Sequence, residues 1–126
     1  MAVARVTLYK GIDNIIDLVI KKNKIALPLE LTPTDTFTLH LIELATNLPV
    51  ATITQTETAD GKIEITDLIN GKITLTFKPA LVATLKSLRG TQADNYYVRP
   101  TYKFLIEANT LNQDRFIVTL DRVGIN

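Results

Sequence analysis

The chain has 126 residues, a formal net charge of +1 and no cysteine. The near-neutral charge gives no general attraction to nucleic acid or to an anionic membrane, and the missing cysteine excludes disulfides, thiolate metal sites and a cysteine nucleophile. Hydrophobic residues make up 46% of the chain, yet no apolar run approaches the roughly 20 residues of a membrane helix. The surplus therefore predicts a large core or a protein interface, and the length predicts a single domain over residues 1–126.

The first predicted elements are two strands. Residues 3–9 alternate between apolar and polar side chains, the two-residue period of a strand with one buried face. Residues 14–20 are apolar on both parities, because Ile15 and Val19 lie opposite the better-patterned Ile16, Leu18 and Ile20. A strand with two apolar faces needs two covers, either further structure packed outside it or a subunit contact.

The next segment contains a proline and the single histidine. Residues 21–24 form a basic run that we interpret as a hairpin tip rather than a phosphate site, and Pro28 makes residues 25–31 an edge strand or an extended crossing segment. Residues 36–44 alternate clearly, with His40, Ile42 and Leu44 opposite the predicted core face. Because His40 lies on the more polar face, we interpret it as a surface imidazole rather than a metal ligand or a catalytic group.

The middle of the chain is organised by two tight turns. Asp60-Gly61 and Asn70-Gly71 are dipeptides that tolerate the positive φ angles of tight hairpins, and they bracket a strand over residues 62–69. A threonine-rich strand is predicted before them over residues 50–58, and another strand follows at residues 72–77. From Pro79 the apolar residues take a helical spacing, which predicts one short helix at about residues 79–89.

The C-terminal part is predicted to be a long hairpin. After a polar loop over residues 91–95, residues 102–107 and 116–120 alternate in the manner of strands, and the last apolar residues extend the hairpin to the terminus. Leu105 and Ile117 fall opposite the predicted core face. Short strands separated by glycine and proline turns predict a mainly β fold, an antiparallel β-sandwich with one short helix.

A search of the sequence for catalytic and ligand-binding motifs gives negative results. Ser87 is the single serine and has no glycine elbow around it, and there is no glycine-rich phosphate loop, paired-histidine motif or calcium loop. The nearest carboxylate pairs, Asp13 with Asp17 and Glu64 with Asp67, fall at turn or outward strand positions where solvated acids are ordinary. The sequence thus predicts no enzyme, no catalytic residue, no cofactor, no metal site and no small-molecule substrate.

One aromatic group leaves a binding alternative open. Tyr96, Tyr97 and Tyr102 are interleaved with Arg99 and Lys103, a combination that could stack on sugars or bases. Tyrosines that close a sandwich core at a strand entrance are the commoner case. A carbohydrate-binding or adhesion module therefore stands as an alternative function.

Several stretches carry a resemblance to a known class of proteins. They are residues 6–20 (VTLYKGIDNIIDLVI), residues 26–32 (ALPLELT), the strand at 36–43, residues 71–75 (GKITL) leading into the predicted helix, and the late strand at 96–106 with its closing hairpin. This layout resembles small immunoglobulin-like β-sandwich virion proteins of tailed bacteriophages, and it is similar to the N-terminal domain of baseplate upper proteins. The resemblance implies an immunoglobulin-like sandwich and a non-enzymatic virion part that works through its surfaces.

The expected function follows from the resemblance and from apolar residues on the outward faces of the strands. We expect a structural component of the virion, in the baseplate, tail or neck, assembled in the host cytoplasm and contacting other virion proteins or copies of itself, with no nucleic acid or membrane partner. A capsid decoration (cement) protein is the alternative within this class. The candidate interface residues are Ile15, Val19, Ile42, Leu44, Leu105 and Ile117.

Overall fold

The computed structural model describes the backbone of residues 5–22, 27–87, 89–92 and 95–126, and the side chains of these residues other than 5, 89–92 and 95–97. The described part of the chain forms ten strands and one short helix. The elements are β1 (Arg5–Leu8), β2 (Asn14–Val19), β3 (Thr36–Glu43), β4 (Leu48–Ile53), β5 (Gly61–Asp67), β6 (Lys72–Phe77), α1 (Pro79–Val82), β7 (Arg89–Gln92), β8 (Asn95–Val98), β9 (Pro100–Thr110) and β10 (Asp114–Ile125).

Two sheets make the layers of a sandwich. The five-stranded sheet has the order β1-β10-β9-β3-β4, the three-stranded sheet has the order β2-β6-β5, and β7 and β8 form a separate two-stranded hairpin. Neighbouring strands are antiparallel except β1 and β10, which pair in parallel. The predicted mainly β sandwich is therefore confirmed. The parallel pairing of β1 with β10 differs from the predicted antiparallel arrangement. Alternation within a strand cannot reveal it, because the pair joins the two ends of the described chain.

The strand order is that of an immunoglobulin-like sandwich. The smaller sheet has the B-E-D order of an immunoglobulin sandwich (β2-β6-β5). The larger sheet has its G-F-C order (β10-β9-β3), with β4 added beside β3 and β1 beside β10. Tyr102, near the start of β9, has its hydroxyl 2.8 Å from the backbone N–H of Lys86, which donates to it. This contact is equivalent to the tyrosine corner of that fold.

The core lies between the sheets and is aromatic at its centre. Phe104 of β9 stacks on Phe77 of β6, with ring centroids 4.9 Å apart, so one pair of rings joins the two layers. Each side chain is fully buried. Aliphatic side chains surround the pair, among them Leu8, Ile20, Leu39, Leu41, Ile53, Ile63, Ile73, Leu75, Ile106 and Val123.

The helix is shorter than predicted. It spans Pro79–Val82, and the chain continues in turns closed by i to i−3 hydrogen bonds, such as Leu85 N–H to the Val82 carbonyl at 3.1 Å. The Lys86 N–H, which would bond the Val82 carbonyl in a continuing helix, donates instead to Tyr102. No helix in the described part of the chain is long and apolar enough to cross a bilayer.

The remaining differences lie in connections. The strand predicted at 50–58 ends at Ile53, and residues 91–95, predicted as a loop, overlap the hairpin of β7 and β8. Residues 27–31 form no ladder strand, although Pro28 makes an isolated bridge with Lys21. The predicted attachment of the C-terminus is confirmed, because the Asn126 N–H donates to the Leu8 carbonyl at 2.8 Å.

Candidate protein interface

Four of the candidate interface residues lie on one surface, the outer face of the five-stranded sheet. Ile42 and Leu44 are contributed by β3 and its end, Leu105 by the central strand β9, and Ile117 by β10. Ile117 is 61% exposed and Leu44 41% exposed, whereas Ile42 and Leu105 are half-buried by their neighbours. Strand register places Leu105 between His40 and Thr119, so these four residues form an interrupted apolar surface, which we call the outer apolar face.

Polar side chains separate the members of the outer apolar face. The Nε2 atom of His40 lies 3.6 Å from Glu107 Oε1, and its Nδ1 atom lies 3.4 Å from Thr52 Oγ1. The imidazole points outward as predicted, although neighbouring strands leave it only 27% exposed. Among the described residues, His40 and Glu107 are not part of any group of three or more His, Cys, Asp or Glu that could hold a metal ion.

A shallow depression of about 670 Å³ adjoins this face where β3, β9 and β10 run side by side. Its lining includes Thr36, Thr38, Glu107, Asn109, Arg115 and Ile117. Charged, hydroxyl and amide groups there lie beside the apolar side chains of Ala108, Phe116 and Ile117. Such a surface can receive a partner's side chain at the rim of an interface, where polar groups are usual.

The other two candidate residues lie on the opposite side of the molecule. Ile15 and Val19 project from the outer face of the three-stranded sheet and are 66% and 44% exposed. Asp17 stands between them, and its Oδ1 atom accepts a hydrogen bond from the Thr74 hydroxyl at 2.7 Å. The six residues therefore belong to two separate surfaces, because β2 joins a different sheet from β3, β9 and β10.

Sequence reasoning missed a further apolar surface at one end of the sandwich. Leu68 and Ile69 in the β5–β6 turn and Leu111 in the β9–β10 turn are exposed, the last by 74%. Backbone hydrogen bonds connect this end: the Leu31 N–H donates to the Leu68 carbonyl at 2.7 Å. The Leu111 N–H donates to the Asp35 carboxylate at 3.1 Å. The sequence did contain a signal for this surface: apolar residues at turn positions, which are usually polar.

The alternative of a carbohydrate-binding module needs three exposed tyrosines, and one of them is buried. Tyr102 is 2% exposed and belongs to the core, so the prediction that it closes the sandwich is confirmed and it cannot stack on a sugar. The side chains of Tyr96 and Tyr97 lie outside the described residues. Arg99 is exposed and Lys103 half-buried.

Ser87 and the carboxylate pairs have ordinary structural surroundings. The Ser87 hydroxyl donates to the Ile125 carbonyl at 2.8 Å. Asp13, Asp17 and Glu64 are exposed. Hydrogen bonds from the side chain and backbone of Asn70 hold the pKa of Asp67 below its ordinary value. Each of these groups is satisfied by nearby residues or by solvent.

The strongest local electrostatic arrangement lies outside these surfaces. Glu57 has Lys78 Nζ at 3.3 Å from one carboxylate oxygen and Lys62 Nζ at 3.5 Å from the other. Lys78, by hydrogen bonding and charge, is the main cause of the lowered pKa of Glu57, and Lys62 adds to it. The cluster connects the β4–β5 segment to the end of β6.

The comparisons with known proteins find only distant structural likeness. No protein-family model and no curated protein matches the chain. A solved structure titled as the crystal structure of the ZIG-8–RIG-5 IG1–IG1 heterodimer is similar over 99% of this chain and 83% of its own, with 9% sequence identity and a TM-score of 0.41.

Proposed function

We propose that this protein is a non-enzymatic structural component of a tailed bacteriophage virion, in the baseplate, tail or neck, that works through protein–protein contacts. The observation that carries the proposal is the outer apolar face, Ile42, Leu44, Leu105 and Ile117. The resemblance of the sequence to phage sandwich proteins supports the virion setting.

The energetic argument concerns the cost of leaving this face in water. Complete burial of an aliphatic side chain is worth roughly 1.5 to 3 kcal/mol. Exposed apolar patches framed by polar side chains mark interaction sites on soluble proteins. The outer apolar face has that composition, with Glu107, Lys103 and His40 around the aliphatic groups. Neighbouring protein chains would cover it on assembly.

The partners follow from the same surfaces and from the charge. A net charge of +1 offers no electrostatic attraction to nucleic acid or to an anionic membrane, so other virion proteins or further copies of this chain are the proposed partners. A decoration protein on the capsid would use the same kind of surface. The position of the chain in an averaged image of the particle distinguishes these two sites.

The experiment is to follow incorporation of the protein into particles. We expect mass spectrometry of purified particles to find the wild-type chain and to show occupancy reduced at least about tenfold for Ile117→Lys, since a buried charge in an interface is costly. Thr56→Lys is the matched control, because it adds the same charge at an exposed loop residue away from the face. A chain absent from particles and monomeric by light scattering at high concentration would contradict the proposal.

A further inference from the structure

The two sheets of the sandwich end in four edge strands: β1 and β4 in the larger sheet, β2 and β5 in the smaller. An edge strand exposes backbone N–H and C=O groups to pairing with another chain. Proteins protect such edges by short strands, proline, bulges, charged side chains or covering segments. The four edges of this protein differ in these protections.

Two of the edges, β4 and β5, are protected, and β1 has four described residues. β4 contains Pro49, and its pairing with β3 is interrupted by a register shift between Leu41 and Ile42. On β5 the outward N–H of Ile63 donates to the Thr54 carbonyl at 2.8 Å, and Lys62 is held near the acidic Glu57.

The edge of β2 lacks most of these protections within the described part of the chain. It has six residues, contains no proline, and pairs with β6 without a register shift. The Ile20 N–H donates to the Gly71 carbonyl at 2.7 Å, which fixes the alternation of the ladder: even-numbered residues bond β6, and Ile15, Asp17 and Val19 direct their N–H and C=O groups away from it. Among the described residues, β6 is the one strand that pairs with β2.

The side chains along β2 also leave this edge open. Asp17 is the single charged residue of the strand, and its hydrogen bond to the Thr74 hydroxyl holds the carboxylate toward β6. Ile15 and Val19 flank it and are both exposed, Ile15 more than Val19. A strand added at this edge would therefore meet two aliphatic side chains with one carboxylate between them.

We propose that the edge of β2 left unpaired by the described strands accepts an extended strand from another protein chain, which becomes the fourth strand of the smaller sheet. The incoming strand carries apolar side chains opposite Ile15 and Val19 and a basic or hydroxyl side chain opposite Asp17, because cross-strand neighbours on one face interact directly. The inference rests on the proposed function in protein assembly. It specifies the side-chain chemistry of the partner strand, which the proposed function does not.

A second copy of β2 does not fit this description. Antiparallel self-pairing that aligns Ile15 with Val19 of the copy would place two Asp17 carboxylates opposite each other, and like charges in that position are destabilising. The charge pattern thus favours a strand of different sequence.

The test uses amide hydrogen exchange of the full chain measured by NMR. A probe strand, Thr-Val-Thr-Lys-Thr-Val-Thr, is joined to Asn126 through a Gly/Ser linker of about twelve residues, because a short flexible tether gives a local concentration in the millimolar range. In the protein without the probe, we expect the amides of Ile15, Asp17 and Val19 to exchange at least about tenfold faster than those of Ile16 and Leu18. With the probe, the three fast amides should slow at least about tenfold.

Two controls separate backbone pairing from other effects. A probe with Glu in place of Lys should give clearly less protection, since it places like charges opposite each other. Val19→Pro removes an outward N–H that makes no bond to β6 and should abolish the protection, whereas Val19→Thr keeps the donor and should retain most of it. If a proline at this position prevents folding, a probe N-methylated at the amides facing β2 makes the same test on the wild-type chain.

The proposal is overturned if the fused probe leaves the three amides unchanged, or if the Lys and Glu probes protect them equally. The experiment is independent of the outer apolar face, because β2 lies in the other sheet. If the fused probe gives no protection while Ile117→Lys is lost from particles as expected, the β2 strand site alone is refuted. Full occupancy of Ile117→Lys with positive exchange data would refute the role of the outer apolar face alone.

Discussion

At the scale of single residues, the polar side chains that contribute most to stability are those that hydrogen-bond buried backbone groups. Asn14 is 7% exposed at the start of β2. Its Oδ1 accepts the Tyr9 N–H at 2.9 Å, and its Nδ2 donates to the carbonyls of Tyr9 and Ile12. One amide side chain thereby closes the turn that carries the chain from one sheet to the other.

We expect Asn14→Ala to lower the free energy of unfolding by about 1 to 3 kcal/mol, because it leaves backbone groups of this turn without partners. Urea denaturation measures the change. Asn109→Ala removes the same functional group from an exposed position on β9 and should change stability by less than about 0.5 kcal/mol. Equal effects of the two substitutions would show that the turn does not depend on Asn14.

The second prediction for a single residue concerns Glu57. Its pKa lies below the ordinary value of 4.5 because of Lys78 and Lys62. A carboxylate with a depressed pKa contributes stability that is present above its unfolded pKa and is lost as the pH falls through the folded value. NMR titration should therefore find the Glu57 pKa below 4.5 and raised toward it in Lys78→Met. Lys86→Met, which removes a lysine paired with Glu43, should leave it unchanged. Added salt should reduce the lowering of the pKa, since the Glu57 carboxylate is exposed to solvent.

At the scale of elements, tight turns and strand crossings decide how the hairpins stack. Gly71 has a φ of +65°, and a Cβ there would lie 2.4 Å from the Leu29 carbonyl oxygen and 2.7 Å from that of Ile20. The β5–β6 turn is thus packed directly against the segment that leaves β2. The Asn70-Gly71 turn signal was visible in the sequence, but this close approach was not, because Leu29 is far away along the chain.

We expect Gly71→Ala to cost about 2 to 4 kcal/mol of stability, combining an unfavourable φ with a backbone clash. Gly11→Ala is the matched control: its φ is +86°, and nothing lies within 4 Å of the added Cβ. It should cost only about 1 to 2 kcal/mol, the conformational term alone. Thermal unfolding of both variants tests the difference, and similar losses would indicate that the contact with Leu29 relaxes freely.

At the scale of the whole molecule, the two layers are joined by the stacked rings of Phe77 and Phe104. The aromatic pair occupies the centre of the sandwich, with aliphatic residues of both sheets around it. Since no disulfide is available in a chain without cysteine, cohesion between the layers depends on this packing.

We expect Phe104→Ala to destabilise the protein by about 3 to 5 kcal/mol through lost burial and a cavity between the sheets. Phe116→Ala makes the same change at a half-buried position on β10 and should cost roughly half as much. Denaturant unfolding followed by both far-ultraviolet circular dichroism and tyrosine fluorescence would measure the loss. A cost for Phe104→Ala no greater than that for Phe116→Ala would contradict a central role for the pair.

The sequence by itself determined the class of fold and the direction of most side chains. Alternation in a strand is local, because successive side chains point to opposite faces whichever strand lies alongside. Residues 72–77 were therefore placed correctly, and Ile15, Ile42, Leu105 and Ile117 point away from the core as expected. The helix was overestimated because its continuation competes with a hydrogen bond from Lys86 to Tyr102, sixteen residues further on.

Only the tertiary structure decided how these faces combine into surfaces. Which sheet a strand joins depends on pairing between distant residues, so the sequence could not show that Ile15 and Val19 lie on the opposite side from Ile42, Leu105 and Ile117. For the same reason, the sequence could not show that β2 is an edge strand of the described sheet or that the turns at Leu68 and Leu111 form an apolar end. Both features depend on which distant segments pair in the folded chain, and local alternation of side chains does not determine that pairing.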